Sequence, residues 1–573
     1  MLFSSLPFLF YFLPCALGLY FLVPGRLKNA ALLLCSLVFY AWGEPRFVLF
    51  MAAAILQGYA AARLMERYPT RRRLLLTLSA VLSLGILAYC KYADFLISGF
   101  NAVTGLSVPL LRMALPIGIS FYTFQILSYV IDVYRGDAPA QRNLIDLAAY
   151  IAMYPQLVAG PIVRYADVAP QLRSRTHTVQ DAALGARRFV LGLGKKVLLA
   201  NVLYELVTVY QQSGQKTVLL TWLYAAAYML HVYFDFSGYS DMAIGLGRIM
   251  GFRFAENFRY PFVSGSLTEF WRRWHISLGS WFRDYVYIPL GGSRVGKARW
   301  VRNLVIVWGL TGLWHGAAWN FVAWGLYFAA FLLLEKLFLG RWLKRVPVLG
   351  HVYVLLAALF SFVLFDAASV PAALGTAGGL LGLGGLPLWD SGALYYLRSY
   401  APVLALAAVL LGVLWVLPTL RYNAAVEKLT AKQYDEAKTA FAAMGDYRDA
   451  LERQQECDYQ KALSLRELGG ADNLTEAEKL FSGLNGYQDS EDQRKKTVYL
   501  LGESYLADKL YDKAMESFQS LGDYEDSPAR CRQCTYEQAE ELLNGGNENV
   551  ALALYMNLSG YQDADDKVRE CYY

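Results

Sequence analysis

Apolar runs of roughly 17 to 25 residues recur from Leu6 to Leu417, each long enough to cross a hydrocarbon layer about 30 Å thick. About ten or eleven such runs follow one another, so the bilayer is the solvent this part of the chain is built for. A 56% hydrophobic content over 573 residues agrees. The expected fold is all-α: a polytopic membrane domain over 1–420 with about ten or eleven spanning helices, then a soluble helical domain over 421–573. The first run, Leu6–Val23, has neither a basic stretch before it nor a small-residue cleavage site after it, so it is expected to be a retained helix rather than a signal peptide.

Charge separates the two parts. Up to Leu420 there are 35 Lys and Arg against 17 Asp and Glu, and beyond it 18 against 30, so the net +6 conceals +18 and −12. A basic membrane part suits the positive-inside rule and gives no reason to expect nucleic acid. Clusters at Arg26/Lys28, Arg63/Arg67/Arg71–Arg73, Arg187/Arg188 with Lys195/Lys196, Arg341 with Lys344/Arg345, and Arg421 are assigned to the cytoplasmic side. That places the N-terminus outside, the Gly-rich stretch 375–389 outside, and the tail inside.

Between Arg248 and Arg302 the pattern changes. Phe270-Trp271-Arg272-Arg273-Trp274-His275 and Trp281-Phe282-Arg283-Asp284-Tyr285 mix aromatics with charges every few residues, which suits interfacial or re-entrant helices and not a lipid crossing.

The tail repeats. Phe441-Ala-Ala-Met-Gly-Asp-Tyr447-Arg-Asp-Ala450 recurs as the segments that begin at Phe481, Phe518 and Tyr555, at spacings of 40, 37 and 37. An Ala stands four residues before each leading aromatic (Ala437, Ala477, Ala514, Ala551), which puts both on one helix face. The pattern resembles tetratricopeptide-like helical hairpins, stacked to bury each other's apolar faces and suited to docking a protein partner. Of seven cysteines, Cys531-x-x-Cys534 has the spacing of a redox or metal pair, but no second pair completes a zinc site, and ordinary thiols are expected.

Five histidines are present: His177, His231, His275, His315 and His351. His315, in Leu310-Thr-Gly-Leu-Trp-His315-Gly-Ala-Ala-Trp-Asn320, lies inside a segment that is otherwise apolar from Leu304 to Leu334, where an ionisable group is costly and marks function. Gly312 and Gly316 beside it would admit a second helix or an extended substrate. His275 could accept a proton from a hydroxyl or thiol, or position a thioester carbonyl. Asp235 and Asp241, near His231 in an apolar run, are expected to line one cavity. Pro289-Leu-Gly291-Gly292-Ser293-Arg294 fits an anion cradle and a plain turn equally well. No metal-ligand spacing, nucleophile elbow, phosphate loop or dinucleotide fingerprint is present.

Taken together, the stretches 115–125, 155–162, Asp235–Asp241, Glu256-Asn257-Phe258, Phe270–Ser277, Tyr287–Gly292 and Leu313–Trp319 resemble the membrane-bound O-acyltransferase family over about Met1 to Leu420, and in particular its bacterial branch of alginate O-acetylation. The resemblance implies that His315 is the catalytic residue within a tunnel joining the two membrane faces, and that His275 is a second functional histidine. It also implies that Asp235, Ser237, Asp241, Asn257, Arg273, Trp274, Ser277, Trp314 and Asn320 line the channel or orient its groups. The expected activity moves an acyl group, foremost acetyl, from a cytoplasmic thioester (acetyl-CoA or an acyl-carrier thioester) to an extracytoplasmic polysaccharide, directly or through a periplasmic or cell-surface partner transferase. No bound cofactor or metal is implied. The expected location is the bacterial plasma membrane. The D-alanyl branch that acts on teichoic acids shares the Arg273-Trp274-His275-x-Ser277 and Trp314-His315-Gly316 cores, whereas Tyr287-Ile-Pro289-Leu-Gly-Gly292 favours O-acetylation. Relatives of the alginate type end on one more membrane helix where this chain carries its repeats. The reading from a different class is a transporter or a scaffold without transferase activity, against which the chain shows no inverted hydropathy symmetry.

Overall fold

The computed structural model describes residues 2–158, 160–444, 447 and 449–572, in which every regular element is a helix. Parts of two sequence motifs, Ala159 and the Gly445, Asp446 and Arg448 of the first repeat, lie outside the described residues. The chain divides into two compact units, Met1–Gly412 and Val413–Tyr573. The division falls within one helix, Ser391–Thr430, so the expected boundary at 420 meets no break in secondary structure.

By length and apolarity, five helices of the described residues qualify as membrane spans: Pro45–Arg67, Pro69–Lys91, Trp319–Leu343, Val348–Asp366 and Ser391–Gly412. Two shorter apolar helices are Phe8–Leu22 and Val370–Leu380. The count falls short of the ten or eleven expected runs because several of those runs carry charges or are broken into short helices. Val218–Ile249, for example, holds Asp235, Asp241 and Arg248 in one 32-residue helix.

That helix is the spine of the first unit. Its N-terminal half, from Leu220 to Phe234, packs into a core with helices of residues 199–411, and its C-terminal half, from Met242 to Met250, into a core built from residues 3–189. Thr217 starts it by accepting a hydrogen bond from the Leu220 amide (3.1 Å). Antiparallel to it runs Val179–Gly194, capped by Thr178. The two helices meet glycine to glycine. A Cβ on Gly192 would lie 2.5 Å from the Gly238 carbonyl oxygen, and one on Gly185 2.6 Å from that of Gly245. Only glycine permits this approach.

The close approach also brings opposite charges together. Arg188 pairs with Asp241 (2.9 Å) and Glu256 (2.5 Å), Lys195 with Asp241 (2.7 Å), and Lys196 with Asp235 (2.5 Å). Arg188, Lys195 and Lys196 thus neutralise carboxylates of the spine, a role that the reading of them as a basic rim cluster did not contain.

The segment rich in aromatics and charges forms short helices, Leu267–Arg273 and Ile276–Phe282, as its mixed pattern requires. Ser266 and Glu269 make a capping arrangement: the Ser266 hydroxyl accepts from the Glu269 amide (3.1 Å), and the Glu269 carboxylate accepts from the Gly265 amide (3.1 Å). The buried Glu335 carboxylate accepts from the Leu267 (2.7 Å) and Thr268 (3.1 Å) amides, fixing this N-terminus onto the Trp319–Leu343 helix. The Gly-rich stretch 375–389 begins inside the Val370–Leu380 helix and continues as turns.

The second unit is a succession of helix pairs, such as Ala471–Gly483 with Ser490–Ala507 and Tyr511–Ser520 with Ser527–Asn544. Ala437, Ala477, Ala514 and Ala551 are fully buried, next to buried Phe441, Phe481, Phe518 and Tyr555. A feature absent from the sequence reading unites the repeats. Tyr422, Tyr459, Tyr499 and Tyr536 stand edge-on to those aromatics at 5.5–5.8 Å and donate their hydroxyls to Asp449, Asp489, Asp526 and Asp563, the Asp of each Tyr-x-Asp motif. Each hairpin is thereby latched to the helix before it. Cys531 and Cys534 are free; burial pushes the Cys534 thiol up to about 11, which leaves little thiolate for redox or metal chemistry.

Candidate active site

His275 sits between the two short helices in a left-handed backbone conformation, φ 44°, which a β-carbon disfavours. Asn257 holds it there. The Asn257 backbone carbonyl accepts from the Ile276 amide (3.0 Å), and its side-chain Oδ1 accepts from the Ser277 amide (3.2 Å) and the Ser277 hydroxyl (2.9 Å). A backbone N–H can only donate, so the oxygen of the Asn257 amide must face this cluster. His275 Nδ1 lies 3.2 Å from the same oxygen and must therefore carry the proton. The Asn257 nitrogen in turn donates to Ser240 Oγ (3.1 Å), locking the amide from the other side. What remains is His275 Nε2, unprotonated in this tautomer, buried and without a hydrogen-bond partner.

His315 ends the Lys297–His315 helix, which turns back through 316–318 into the helix beginning at Trp319. Gly312 and Gly325 allow this hairpin to close: a Cβ at either would come within 2.2 Å of a backbone carbonyl oxygen, of Phe321 and Trp308 respectively. The helix, and not an extended substrate, occupies the space beside Gly312. The imidazole stands edge-on to Trp314 (5.0 Å), Trp324 (5.0 Å) and Phe365 (5.3 Å). Lys91, at the end of the Pro69–Lys91 span, donates to the Trp314 carbonyl and to Ser120 Oγ (3.2 Å), and Tyr92 donates to the Leu313 carbonyl (2.6 Å).

The two histidines share one cavity. A space of about 440 Å³ is bordered by both, by Trp274, Trp314 and Trp324, and by Asp235, Lys91 and Lys196. It lies where the two cores of the first unit meet, with Phe3, Tyr239 and Met242 from one and Trp274, Trp324 and Phe362 from the other. A smaller space of about 200 Å³ touches His315 from another side, together with Lys91, Asp94 and Met113. An imidazole with a free Nε2 beside a mostly apolar, aromatic-walled pocket can take a proton from a hydroxyl or thiol while water is kept away. Among the described residues no cluster of His, Cys, Asp or Glu could hold a metal ion.

Comparison with known proteins assigns the family. The family model described as membrane-bound O-acyltransferase matches residues 138–370, which include both histidines. The probable alginate O-acetylase AlgI of Azotobacter vinelandii is 46% identical over 382 residues, covering 65% of this chain and 76% of its own. The chain belongs to the membrane-bound O-acyltransferase family. The peptidoglycan O-acetyltransferase of Helicobacter pylori is 31% identical over 427 residues (68% and 81%), and the teichoic acid D-alanyltransferase of Bacillus subtilis 30% over 242 residues (40% and 60%). The protein is thus a multi-pass membrane acyltransferase.

The other residues singled out in the sequence occupy distinct places in this membrane-bound O-acyltransferase. Asp235, Trp274 and Trp314 border the histidine cavity. Asp241 does not border it; the carboxylate is taken by Arg188 and Lys195. Arg273 pairs with Glu269 on its own short helix (2.8 Å) and donates to the Arg259 carbonyl (3.2 Å), and Asn320 donates to the Phe365 (3.3 Å) and Ala367 (2.9 Å) carbonyls at the end of the Pro347–Asp366 helix. Ser237 is buried with an unpartnered hydroxyl, and Ser277 acts through Asn257. His231 Nδ1 meets the Ala200 carbonyl (2.8 Å). The Gly291-Gly292 amides donate to Ile288 (2.9 Å) and Tyr287 (2.9 Å) carbonyls, so this loop is a turn and offers no glycine N–H to an anion. Lys91 went unnoticed in the sequence, and Ser120 figured there only within the stretch 115–125; both lie outside the matched 138–370 segment. Lys91 carried a readable signal: it is a lysine ending an apolar run.

Proposed function

We propose that the protein transfers an acetyl group from a cytoplasmic thioester, acetyl-CoA or an acyl-carrier conjugate, to a hydroxyl of an extracytoplasmic polysaccharide or of a partner transferase that serves it. The observation that carries this reading is the single aromatic-walled cavity shared by His275 and His315, in a chain whose relatives include an alginate O-acetylase and a peptidoglycan O-acetyltransferase. In this scheme the thioester carbonyl rests between the two imidazoles. His275, with Nδ1 fixed by Asn257, accepts a hydrogen bond at its free Nε2 and so orients the acceptor hydroxyl or holds its proton, and His315 takes the hydroxyl proton as the new ester bond forms. Residues 1–420 form the transferase domain, with the N-terminus outside; 421–573 form a cytoplasmic docking array for a protein partner. The enzyme works in the bacterial plasma membrane.

The test compares wild type with His315→Ala in a strain lacking the native gene, by measuring ester-linked acetate on isolated envelope and secreted polysaccharides. Acetate is expected with wild type and near background with the variant; equal acetate in both refutes the reading. Mass analysis of the released acyl group distinguishes acetyl from D-alanyl transfer.

A further inference from the structure

We propose that Lys91 is a third catalytic residue, whose ammonium stabilises the oxyanion formed on the acyl carbonyl during transfer. The inference rests on the acyl-transfer reading above. Lys91 ends a membrane span, where an ammonium is costly unless it serves something. Among the described residues no carboxylate lies within ion-pair distance of its Nζ, whereas Lys196, the other cation bordering the larger space, is paired with Asp235 at 2.5 Å. Asp94, which borders the smaller space with Lys91, is already engaged by the Leu111 (2.6 Å) and Arg112 (3.0 Å) amides.

Its position fits the role. Two of the three N–H groups on Nζ point to the Trp314 carbonyl and Ser120 Oγ, which aims the head group and leaves one N–H to donate. With His315 it borders both the larger and the smaller space, so its charge is available to a carbonyl presented to His315 from either. The ring of Trp314 lies 5.8 Å from Nζ and leans the other way toward both histidines.

The step balances. The acceptor hydroxyl oxygen attacks the thioester carbon and its proton passes to an imidazole nitrogen. The carbonyl π pair moves onto oxygen, opposite the Lys91 ammonium. Collapse of the tetrahedral intermediate breaks the C–S bond, and the leaving thiolate takes the proton back from the imidazolium. Lys91 stays charged throughout and donates a hydrogen bond that strengthens as negative charge gathers on oxygen.

The full chain carrying Lys91→Met, Lys91→Gln or Lys91→Arg is produced in the same deletion strain. Ester-linked acyl groups on the polysaccharides are measured over time and normalised to the protein recovered in membranes. Loss of one such donor costs about 100- to 1000-fold in rate, so Met and Gln are both expected to fall by that order while Arg retains most of the activity. Gln separates charge from tethering, because its amide can still donate to the Trp314 carbonyl. Recovery with Gln, a wild-type rate with Met, or an Arg variant as slow as Met would each overturn the proposal. If Met does not accumulate in membranes, the Gln and Arg pair still decides. His315→Ala run alongside separates the two claims: its inactivity beside an active Lys91→Met removes only Lys91, whereas its full activity removes the transfer reading itself.

Discussion

Asn257 is the residue on which the geometry of His275 depends, and replacing it tests that dependence quantitatively. Three donors converge on its Oδ1: His275 Nδ1–H at 3.2 Å, the Ser277 amide at 3.2 Å and the Ser277 hydroxyl at 2.9 Å. In Asn257→Leu the hydroxyl can rotate, but the imidazole N–H and the backbone amide cannot follow. Two buried donors left unpaired at about 1–3 kcal/mol each, partly relieved by relaxation, give an expected destabilisation of about 2–4 kcal/mol. The same substitution removes what fixes the tautomer. A hydrogen bond worth about 1–1.5 kcal/mol holds the proton on Nδ1, so its loss shifts the ratio of the two tautomers roughly tenfold toward the form with Nε2 protonated, and the acyl-transfer rate falls with the smaller population that keeps a free Nε2. Asn257→Asp keeps an acceptor at the same point and lets Ser240 donate in place of the lost N–H. It is expected to retain the rate to within a few-fold. Rates come from ester-linked acyl deposition per unit of membrane protein, and stability from thermal unfolding of the purified chain in detergent. If Asp and Leu, both folded, are equally slow, or if Leu runs at the wild-type rate, the acceptor does not set the tautomer and the argument for Nε2 fails.

Two further outcomes follow from the packing. Gly192→Ala places a methyl 2.5 Å from the Gly238 carbonyl oxygen and 2.8 Å from the Met242 amide nitrogen, both backbone atoms, so the helices must part and unfolding should occur at lower temperature by an amount reflecting about 2 kcal/mol or more; Gly194→Ala, helical with open space around it, is the control and should be neutral or slightly stabilising. In the repeats, the Tyr459 hydroxyl and Gln493 hold the Asp489 carboxyl below its ordinary value, and the Tyr422 and Tyr499 hydroxyls do the same for Asp449 and Asp526. A depressed carboxyl contributes stability that is present above the unfolded value near 3.9 and lost as pH falls through the folded one. Pulse proteolysis of the full chain between pH 3 and 7 should therefore show the array opening at acid pH, with a shallower dependence in Tyr422→Phe/Tyr459→Phe/Tyr499→Phe; superposable curves would refute the latch.

The sequence made the all-helical membrane part and the four repeats legible for one reason: both are written in periodicity, as apolar length in the first and as the Ala-x-x-x-Phe to Tyr-x-Asp pattern in the second. The Tyr of each latch escaped because Tyr422 and Tyr459 precede the Asp they bind by 27 and 30 residues and carry no motif of their own. The glycine pairs of the spine escaped for a related reason. Gly185 and Gly192, and Gly238 and Gly245, are each seven apart, but a spacing on one helix means nothing until its antiparallel partner is known.

The candidate site divides along the same line. His315 was legible because burial in an apolar run is a local property, and His275 because it sits in a dense motif. Their placement on one cavity depends on where the C-terminal half of the spine meets the first core, which no window of sequence contains. Asp241 shows the converse error. It has the same local signature as Asp235, an acid in an apolar helix six residues on, and a helix advances 600° in six residues, which turns the two side chains about 120° apart. Asp235 therefore faces the cavity, while Asp241 faces Arg188 and Lys195. Intramembrane charge alone identifies residues that must have partners. Whether the partner is a neighbouring helix or a substrate is decided by which carboxylates and cations are already matched, and by that criterion Lys91, which borders both spaces at His315 with no acid within ion-pair distance among the described residues, is a group for which we propose the substrate as partner.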